Sequence, residues 1–231
     1  MDNPIDRKKQ INKPSQGDYT DSMPSKSQSQ PQSRDDRSKA IRERILDGAY
    51  EVLVELGHAG LRSSNIAKAA GVSRGGMLHH YASKEQLIAA LYVRLIDQFE
   101  EASWNIIDST PDDQLVEGLL ADTQQRFLSE AFLAALDILV ASSEEKLIAE
   151  SLDSSAPSDR IPAREGWAKR FEDAGVDKIT ANRITSLVWN AIKGLAIRNT
   201  VARDNEHCER VVALTRKLAT EVYKDALKKG K

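Results

Sequence analysis

The residues with the clearest chemical purpose lie between positions 61 and 87. Arg74 and His79 can donate hydrogen bonds from one short predicted helix. Gly75 and Gly76 leave the backbone of that helix bare, although each glycine costs a helix about 1 kcal/mol relative to alanine. Cationic side chains and free backbone N–H groups at the start of a helix suit an anionic, grooved surface. This combination predicts contact with duplex DNA.

Two short helices joined by a tight turn are needed to position these donors. Ile66, Ala67 and Ala70 recur at helical spacing and would form the apolar face of the first helix. Gly71 suits the left-handed residue that ends a helix, and Ser73 suits the cap of the next helix. The segment therefore predicts a helix-turn-helix unit. Its two helices are predicted at 64–70 and 73–80.

Phosphates and base edges are the expected partners of the side chains on this unit. Arg74 could bond O6 and N7 of a guanine, a pairing worth about 1–3 kcal/mol of discrimination. Leu78 could touch a thymine methyl group or pack inside, and Ser63 could cap its helix without touching DNA. The predicted DNA-binding residues are Ser63, Ser64, Ser73, Arg74, Gly75, Gly76, Leu78, His79, His80 and Lys84.

Metal binding is not predicted at this unit. His79 and His80 are adjacent, so their side chains diverge by about 100° on a helix and cannot share a metal from one face. No other Cys, His or acidic residue accompanies them at ligand spacing. His79 is the expected groove contact, whereas His80 is expected to pack against the following helix or to touch a phosphate.

The run IAKAAGVSRGGMLHHYASKEQL resembles the DNA-binding domain of the TetR family of one-component regulators. The likeness covers residues 38–95 and rests on "IA-x-x-AGVS" followed by "HH-aromatic-x-SKE-x-L". It implies an all-α chain with an N-terminal three-helix DNA-binding domain and a C-terminal helical domain that binds a ligand and dimerises. Gly76 stands where many members have a threonine, and Leu78 where they often have a DNA-contacting tyrosine.

Composition also favours a soluble, helical protein. Hydrophobic residues make up 40% of the chain and charged residues 29%, whereas aromatic residues make up only 5%. The single cysteine, Cys208, excludes an internal disulfide and fits a reducing cytoplasm. The apolar run at 131–141 is too short to span a bilayer, and the N-terminus lacks the apolar core of a signal peptide. We therefore expect a cytoplasmic protein without a membrane segment.

The charges are separated along the chain. The net charge of −2 would by itself argue against a nucleic-acid binder. However, residues 38–84 contain seven Lys or Arg and four Asp or Glu, whereas residues 85–231 contain 19 and 25. The basic excess therefore coincides with the helix-turn-helix unit, and this separation can orient the molecule on DNA.

Composition and periodicity divide the chain into three regions. Residues 1–37 are rich in Ser, Gln, Pro and charged residues and are predicted to form a disordered tail. The helix-turn-helix domain is predicted at 38–84, and the helical effector-binding and dimerisation domain at 85–231. Further helices are predicted at 38–56, 83–107, 112–123, 126–142, 144–153, 160–174, 179–203 and 206–228.

The last two predicted helices are the expected dimer interface. One short recognition helix offers too little surface for tight specific binding, so a two-fold dimer should place two of them about 34–36 Å apart, or a multiple of that distance. The residues predicted to fill the domain's own core from 179–203 are Ile184, Leu187, Val188, Ala191, Ile192 and Leu195. The residues predicted to remain for a partner are Asn190, Gly194, Ile197 and Val201. On 206–228 the apolar set Val211, Val212, Leu218, Val222 and Tyr223 is too broad to pack against one surface, so part of it is also expected to meet a partner.

The resemblance also implies a ligand cavity in the second half, whose occupancy weakens DNA binding. Such coupling is reciprocal and is typically worth about 1–3 kcal/mol. Three tryptophans in a chain poor in aromatics favour an apolar or aromatic effector. The predicted ligand-binding residues are Trp104, Phe132, Leu136, Trp167, Phe171, Trp189, Asn190 and Lys193, with ordinary core packing as the alternative for each.

Catalysis is not expected. No glycine-rich phosphate loop, zinc-protease or nucleophile-elbow motif occurs, and the neighbours His207 and Cys208 would diverge on a helix. The predicted function is a DNA-binding transcriptional regulator, a repressor by family habit, with a small-molecule effector and no cofactor. The alternative is a ligand-independent or partner-regulated DNA-binding protein, either an activator or an architectural protein.

Overall fold

A computed structural model of the chain describes residues 33–142, 150 and 162–229, and the elements within these residues are all helical. The predicted all-α class is therefore confirmed. No helix in this part of the chain is both long and apolar enough to cross a lipid bilayer. The helices are α1 (Arg34–Leu56), α2 (Ser63–Ala69), α3 (Arg74–His80), α4 (Lys84–Ser109), α5 (Leu115–Phe127), α6 (Glu130–Ser142), α7 (Ala163–Asp173), α8 (Lys178–Val201) and α9 (Asn205–Lys229), with 3₁₀ turns at His58–Gly60 and Asp112–Gln114.

Helix α1 begins at Arg34 rather than at the predicted position 38. The Ser33 hydroxyl accepts a hydrogen bond from the Asp36 N–H at 3.1 Å, and the Asp36 carboxylate accepts one from the Ser33 N–H at 3.2 Å. This capping box satisfies N–H groups that the first turn leaves free. Residues 33–37, which the sequence assigns to a tail, thus form the cap and first turn of α1, and the rest of that predicted tail lies outside the described residues.

Helix α2 ends as the sequence predicts, with Gly71 in the left-handed region at φ 62°. The Gly71 N–H donates to the Lys68 carbonyl at 3.2 Å, and the Val72 N–H donates to the Ala67 carbonyl at 3.0 Å. These two bonds form a Schellman motif, which satisfies carbonyls at the end of the helix and turns the chain sharply. The turn sets the angle at which α3 leaves α2.

The N-terminal core packs α1 to α4 together and also includes one face of α6. Ala134, Ala135 and Ile138 supply that face. Next to them, the Asp137 carboxylate accepts the His58 N–H at 2.6 Å, so α6 is bonded to the turn that precedes α2. The largest fully buried side chains of the N-terminal core are Ile45, Leu61, Ile66, Met77, Leu87, Ile88 and Leu91.

The C-terminal core is formed by α5, α7, α8, α9 and the second half of α4. Helix α4 passes between the two cores, because Leu95 belongs to the N-terminal core and Ile107 to the C-terminal core. Trp167 and Phe171, both on α7, are completely buried in the C-terminal core. A rigid helix thus connects the start of α4, beside the helix-turn-helix unit, with the interior of the second half.

The boundary between α5 and α6 differs from the predicted break at 123–126. Helix α5 continues to Phe127, because Arg126 and Phe127 are buried and extend its inner face. Ser129 then starts α6, since its hydroxyl accepts the Phe132 N–H at 3.1 Å. Of the predicted helix at 144–153, only residue 150 is among the described residues, and it is helical.

Gly48 sets how closely α1 and α2 approach each other. A Cβ added at Gly48 would lie 2.6 Å from the Ala70 nitrogen and 2.9 Å from the Ala70 Cα. Backbone atoms at these distances have to shift, and overpacking of this kind typically costs about 1–3 kcal/mol.

We therefore predict that Gly48→Ala lowers the free energy of unfolding by about 1–3 kcal/mol in urea titrations. Gly75→Ala is the matched control, because a Cβ there would meet no atom within 4 Å. This control should raise the free energy of unfolding by about 0.5–1 kcal/mol through helix propensity alone. Equal stability of the two variants would contradict the close contact at Gly48.

Candidate functional site

The outward face of α3 presents the predicted DNA-contacting side chains. Arg74, Leu78 and His79 are exposed, whereas Met77 on the opposite face is only 1% exposed. Met77 shares the N-terminal core with Ile66 and Leu53. The buried face therefore fixes α3 to the N-terminal core and leaves the opposite face open to a ligand.

The two glycines of α3 differ in their surroundings. A Cβ at Gly75 would meet no atom within 4 Å, so nothing in the fold requires glycine there. A Cβ at Gly76 would lie 3.1 Å from the Ser73 hydroxyl, which caps the helix by accepting the Gly76 N–H at 2.9 Å. Gly76 thus accommodates the cap, whereas Gly75 leaves bare backbone on the outward face.

The other predicted contacts occupy the first turns of neighbouring helices. Ser63 and Ser64 are the first two residues of α2, whose N-cap residue, Arg62, makes no side-chain capping bond. Ser63 is therefore not the cap, because it lies inside the helix. Lys84 is the first residue of α4, which Ser83 caps through the Gln86 N–H at 3.1 Å. First turns carry N–H groups free of helical partners, which suits phosphate.

His80 is half-buried, and its ring meets the His79 ring edge-on with centroids 5.4 Å apart. Tyr81 is buried in the N-terminal core with the Arg42 guanidinium 4.8 Å from its ring centroid. Burial raises the pKa of the Tyr81 hydroxyl. Among the described residues, no group of three or more His, Cys, Asp or Glu side chains could hold a metal ion.

A buried carboxylate lies in the C-terminal core. Asp122 is 2% exposed and accepts hydrogen bonds from the Ser103 hydroxyl at 2.5 Å and from the Trp167 indole N–H at 2.7 Å. Burial raises the pKa of the Asp122 carboxyl above its ordinary value, although these two hydrogen bonds act to lower it. The carboxylate thereby joins α4, α5 and α7.

Arg126 extends this polar network. It donates to the Glu100 carboxylate at 2.8 Å and to the Ser103 hydroxyl at 3.0 Å. Glu100 in turn accepts the Ala163 N–H at 2.6 Å, at the start of α7. The Arg126 guanidinium also lies 5.0 Å from the Trp189 ring centroid, a cation–π distance. Side chains of α5 therefore connect α4, α7 and α8.

A half-open groove of about 570 Å³ runs between the α5–α6 junction, α8 and α9. Its lining combines an apolar floor with charged and amide groups. The apolar lining residues include Phe127, Leu128, Leu133, Leu195 and Val212. The polar lining residues include Asn199, Arg203, Asn205, Cys208, Glu209 and Arg216. The Cys208 thiol donates to the Asn199 side-chain oxygen at 3.3 Å.

None of the eight predicted ligand-binding residues is part of this lining. Three of them pack behind it against Phe127: the Phe132 and Trp189 rings at centroid distances of 4.9 and 5.2 Å, and the Lys193 amine at 5.5 Å. We call Phe127, Phe132 and Trp189 the aromatic cluster. Of the other five, Trp167 and Phe171 are buried core residues, Trp104 and Leu136 are half-buried, and Asn190 is exposed.

Helices α8 and α9 each carry an exposed apolar line. The four residues of α8 that are predicted to face a partner are exposed: Asn190, Gly194, Ile197 and Val201. Leu187, predicted to fill the core, is 38% exposed because it lies on the same outward line. On α9, Tyr223 packs inward against Phe171 with ring centroids 5.2 Å apart, whereas Leu218 and Val222 are exposed. The exposed large hydrophobic residues of the two helices are Ile179, Leu187, Ile197, Val201, Leu214, Leu218 and Val222.

Comparison with known proteins identifies the family. Residues 45–91 match the sequence profile described as "Bacterial regulatory proteins, tetR family". The HTH-type transcriptional regulator CymR of Pseudomonas putida is 30% identical over 189 residues, which cover 81% of this chain and 93% of that protein. The chain belongs to the TetR family. As a TetR-family member it is a DNA-binding transcriptional regulator of the helix-turn-helix class, and not an enzyme.

Two further proteins are similar to this chain. The HTH-type transcriptional repressor AcnR of Corynebacterium efficiens is 30% identical over 93 residues, or 39% of this chain and 46% of that protein. A crystal structure of a transcriptional regulator from Rhodococcus sp. Rha1 superposes with a TM-score of 0.61 at 20% identity, covering 78% of this chain and 96% of that one. The second comparison supports the fold of both halves.

Neither the groove nor the role of α6 was predicted from the sequence. The lining residues come from four separate elements, and their proximity depends on how the helices pack. One signal was present, because Asp137 is the single charge in the apolar run 131–141. An isolated carboxylate among apolar residues usually has a specific hydrogen-bond partner, and here that partner is the His58 N–H.

The raised pKa of Asp122 has a consequence for stability. The folded state keeps the Asp122 proton to a higher pH than the unfolded state does, so protonation of Asp122 favours folding. This contribution to stability is complete below the unfolded pKa of about 3.9 and is lost as the pH rises through the folded pKa. We predict that the wild type loses stability relative to Asp122→Asn as the pH rises above about 4, measured by urea unfolding.

Asp177→Ala provides a control with the opposite sign. Hydrogen bonds from Thr180 lower the pKa of Asp177, so its contribution is present above the unfolded pKa and is lost as pH falls. Parallel pH profiles for the wild type and Asp122→Asn would contradict the burial of an ionisable carboxyl at this position.

Proposed function

We propose that this TetR-family protein is a ligand-responsive repressor that binds an inverted-repeat operator as a homodimer. The observation that carries the proposal is the outward face of α3, which combines exposed Arg74 and His79 with bare backbone at Gly75. Such a face can place hydrogen-bond donors against base edges in a major groove. Because it acts on DNA, we expect the protein to work in the cytoplasm.

The first turns of α2 and α4 would supply the phosphate contacts that hold α3 in register. Ser63, Ser64 and Lys84 lie there, and contacts to phosphate position a protein without reading sequence. The basic excess of residues 38–84 would be drawn to the phosphates, whereas the acidic excess of the rest would be repelled. Together these features support one orientation on the duplex.

A dimer through α8 and α9 would present two recognition helices. Both helices carry exposed apolar lines that a monomer would leave in water. Gly194 lies on the α8 line, and a Cβ there would meet no atom within 4 Å. This leaves room for a partner helix to approach closely. A four-helix seam of this kind would tie the spacing of the two α3 helices to the packing of the C-terminal halves.

The groove beside the aromatic cluster is the proposed effector site. Leu128, at the end of α5, and Leu133, in the first turn of α6, line it, while a later turn of α6 contributes Ile138 to the N-terminal core. A ligand that displaces the first turn of α6 would also act on the bond between Asp137 and the His58 N–H. Differential affinity for the two positions of α6 is what such regulation requires.

Repressor action is supported by the name of one relative, the transcriptional repressor AcnR. Footprinting of the DNA that flanks the protein's own gene, repeated with a panel of metabolites, tests repression and release together. A protected inverted repeat that one compound releases is the expected result. Protection that no compound changes would favour the ligand-independent alternative, and no protected site would contradict the proposal.

Two alanine variants should separate phosphate contact from base readout. Lys84→Ala is expected to weaken binding to every duplex and to reduce the slope of log K against log salt by about one. Arg74→Ala is expected to lose about 1–3 kcal/mol of preference at one base pair in each half-site. Lys224→Ala, an exposed lysine on α9, is the control that should change neither quantity.

Fluorescence anisotropy at several salt concentrations measures both effects, on the protected duplex and on random competitor. An unchanged slope would remove Lys84 from the phosphate contacts. Equal loss on all sequences would make Arg74 a backbone contact instead of a base contact.

A compound that releases the DNA should also change the emission of Trp189, because its ring packs against Phe127 in the groove wall. We predict that Trp189→Phe abolishes this fluorescence change. Trp104→Phe should retain it, since Trp104, on α4, packs beside Gly166 of α7 and does not line the groove. Titration of both variants with the releasing compound measures the effect. Loss of the signal in Trp104→Phe alone would place the effector elsewhere in the C-terminal half.

A further inference from the structure

The outward face of α3 has an apolar centre. Successive helical residues turn by about 100°, so the exposed residues follow the order Arg74, Leu78, Gly75 and His79 around the helix, across about 140°. The two middle positions are therefore held by Leu78 and Gly75. Because glycine has no side chain, the isobutyl group of Leu78 is the side chain that would project furthest into a groove at this point.

The fold itself does not use this leucine. Leu78 is 48% exposed, whereas its neighbour Met77 is 1% exposed and fills the space beneath α3. Among the described residues, Leu78 belongs neither to the N-terminal core nor to the half-buried hydrophobic residues that pack against it. An apolar side chain at the centre of a recognition surface can contribute only if the bound partner covers it.

Base edges in the major groove offer one apolar group, the C5-methyl of thymine. A leucine placed against any other edge would cover donors or acceptors without replacing their hydrogen bonds to water, which is unfavourable. Placed against the methyl group, it removes apolar surface of both partners from water. Base chemistry therefore gives Leu78 a defined partner.

We propose that Leu78 selects thymine at one position of each half-site by packing against the C5-methyl group. Arg74 and His79, on either side of it, address polar edges or phosphates. This inference rests on the proposed DNA binding and adds the chemical group that the centre of α3 reads.

Uracil replacement tests the inference, because deoxyuridine differs from thymidine only in lacking the methyl group. Full-length protein is first used to enrich duplexes from a randomised pool. Each thymine of the enriched duplex is then replaced singly by uracil, and affinity is measured by anisotropy. Replacement of one particular thymine in a half-site should weaken binding of the protein about fourfold. Replacement of that thymine in both half-sites should weaken binding about fifteenfold.

The Leu78→Ala variant should bind the thymine and uracil duplexes equally. Leu139→Ala is the matched control, because Leu139 is 47% exposed but lies on α6. This control should keep the full preference for thymine.

Two results would overturn the inference alone: an enriched duplex in which no thymine responds to uracil replacement, or a Leu78→Ala variant that still prefers thymine. A randomised pool that yields no enriched duplex would contradict the proposed DNA binding and this inference with it.

Discussion

The insertion of α6 into the N-terminal core is the contact on which the remaining arrangement depends. Ile138 is completely buried there. The Asp137 carboxylate accepts a hydrogen bond at 2.6 Å from the N–H of His58, which lies in the turn that leads into α2. The opposite end of α6 lines the groove of the C-terminal half. Because packed interiors switch between discrete arrangements and do not deform continuously, a shift of α6 must either break these contacts or carry the α2–α3 unit with it. The proposed effector groove and the helix-turn-helix unit are therefore mechanically connected through one short helix in addition to the continuous α4.

The outward face of α3 allows a partner to approach the backbone closely, at the expense of the stability of this helix. Gly75 lowers helix stability by about 1 kcal/mol, and Leu78 leaves apolar surface in water. Neither residue has a reason within the fold, since a Cβ at Gly75 would meet no atom and Met77 already fills the core below. Gly76 is different, because a side chain there would press on the Ser73 cap. Residues that weaken a structure without an internal reason often mark the place where a partner supplies the missing contact.

Local chemistry explains which features the sequence could predict. The turn at Gly71 and the cap at Ser73 depend on neighbours within a few residues, and both have the predicted geometry. The outward line of α8 was also visible as a periodic pattern, with one error at Leu187, because periodicity locates a stripe but not its edge. The groove and the α6 contact could not be predicted in the same way. They join elements that are distant in the chain, such as Asp137 and His58, 79 positions apart, and nothing in local spacing specifies which distant elements meet.

Protection of guanine N7 from methylation would show whether α3 enters the major groove, because this atom lies there. On a duplex enriched by the full-length protein, the account predicts two protected patches on one face of the helix. Their centres should be about 34–36 Å apart, or a multiple of that distance, as two recognition helices of one dimer require. A single protected patch, a bound duplex whose guanine N7 atoms all stay reactive, or even protection without a repeat would contradict this arrangement.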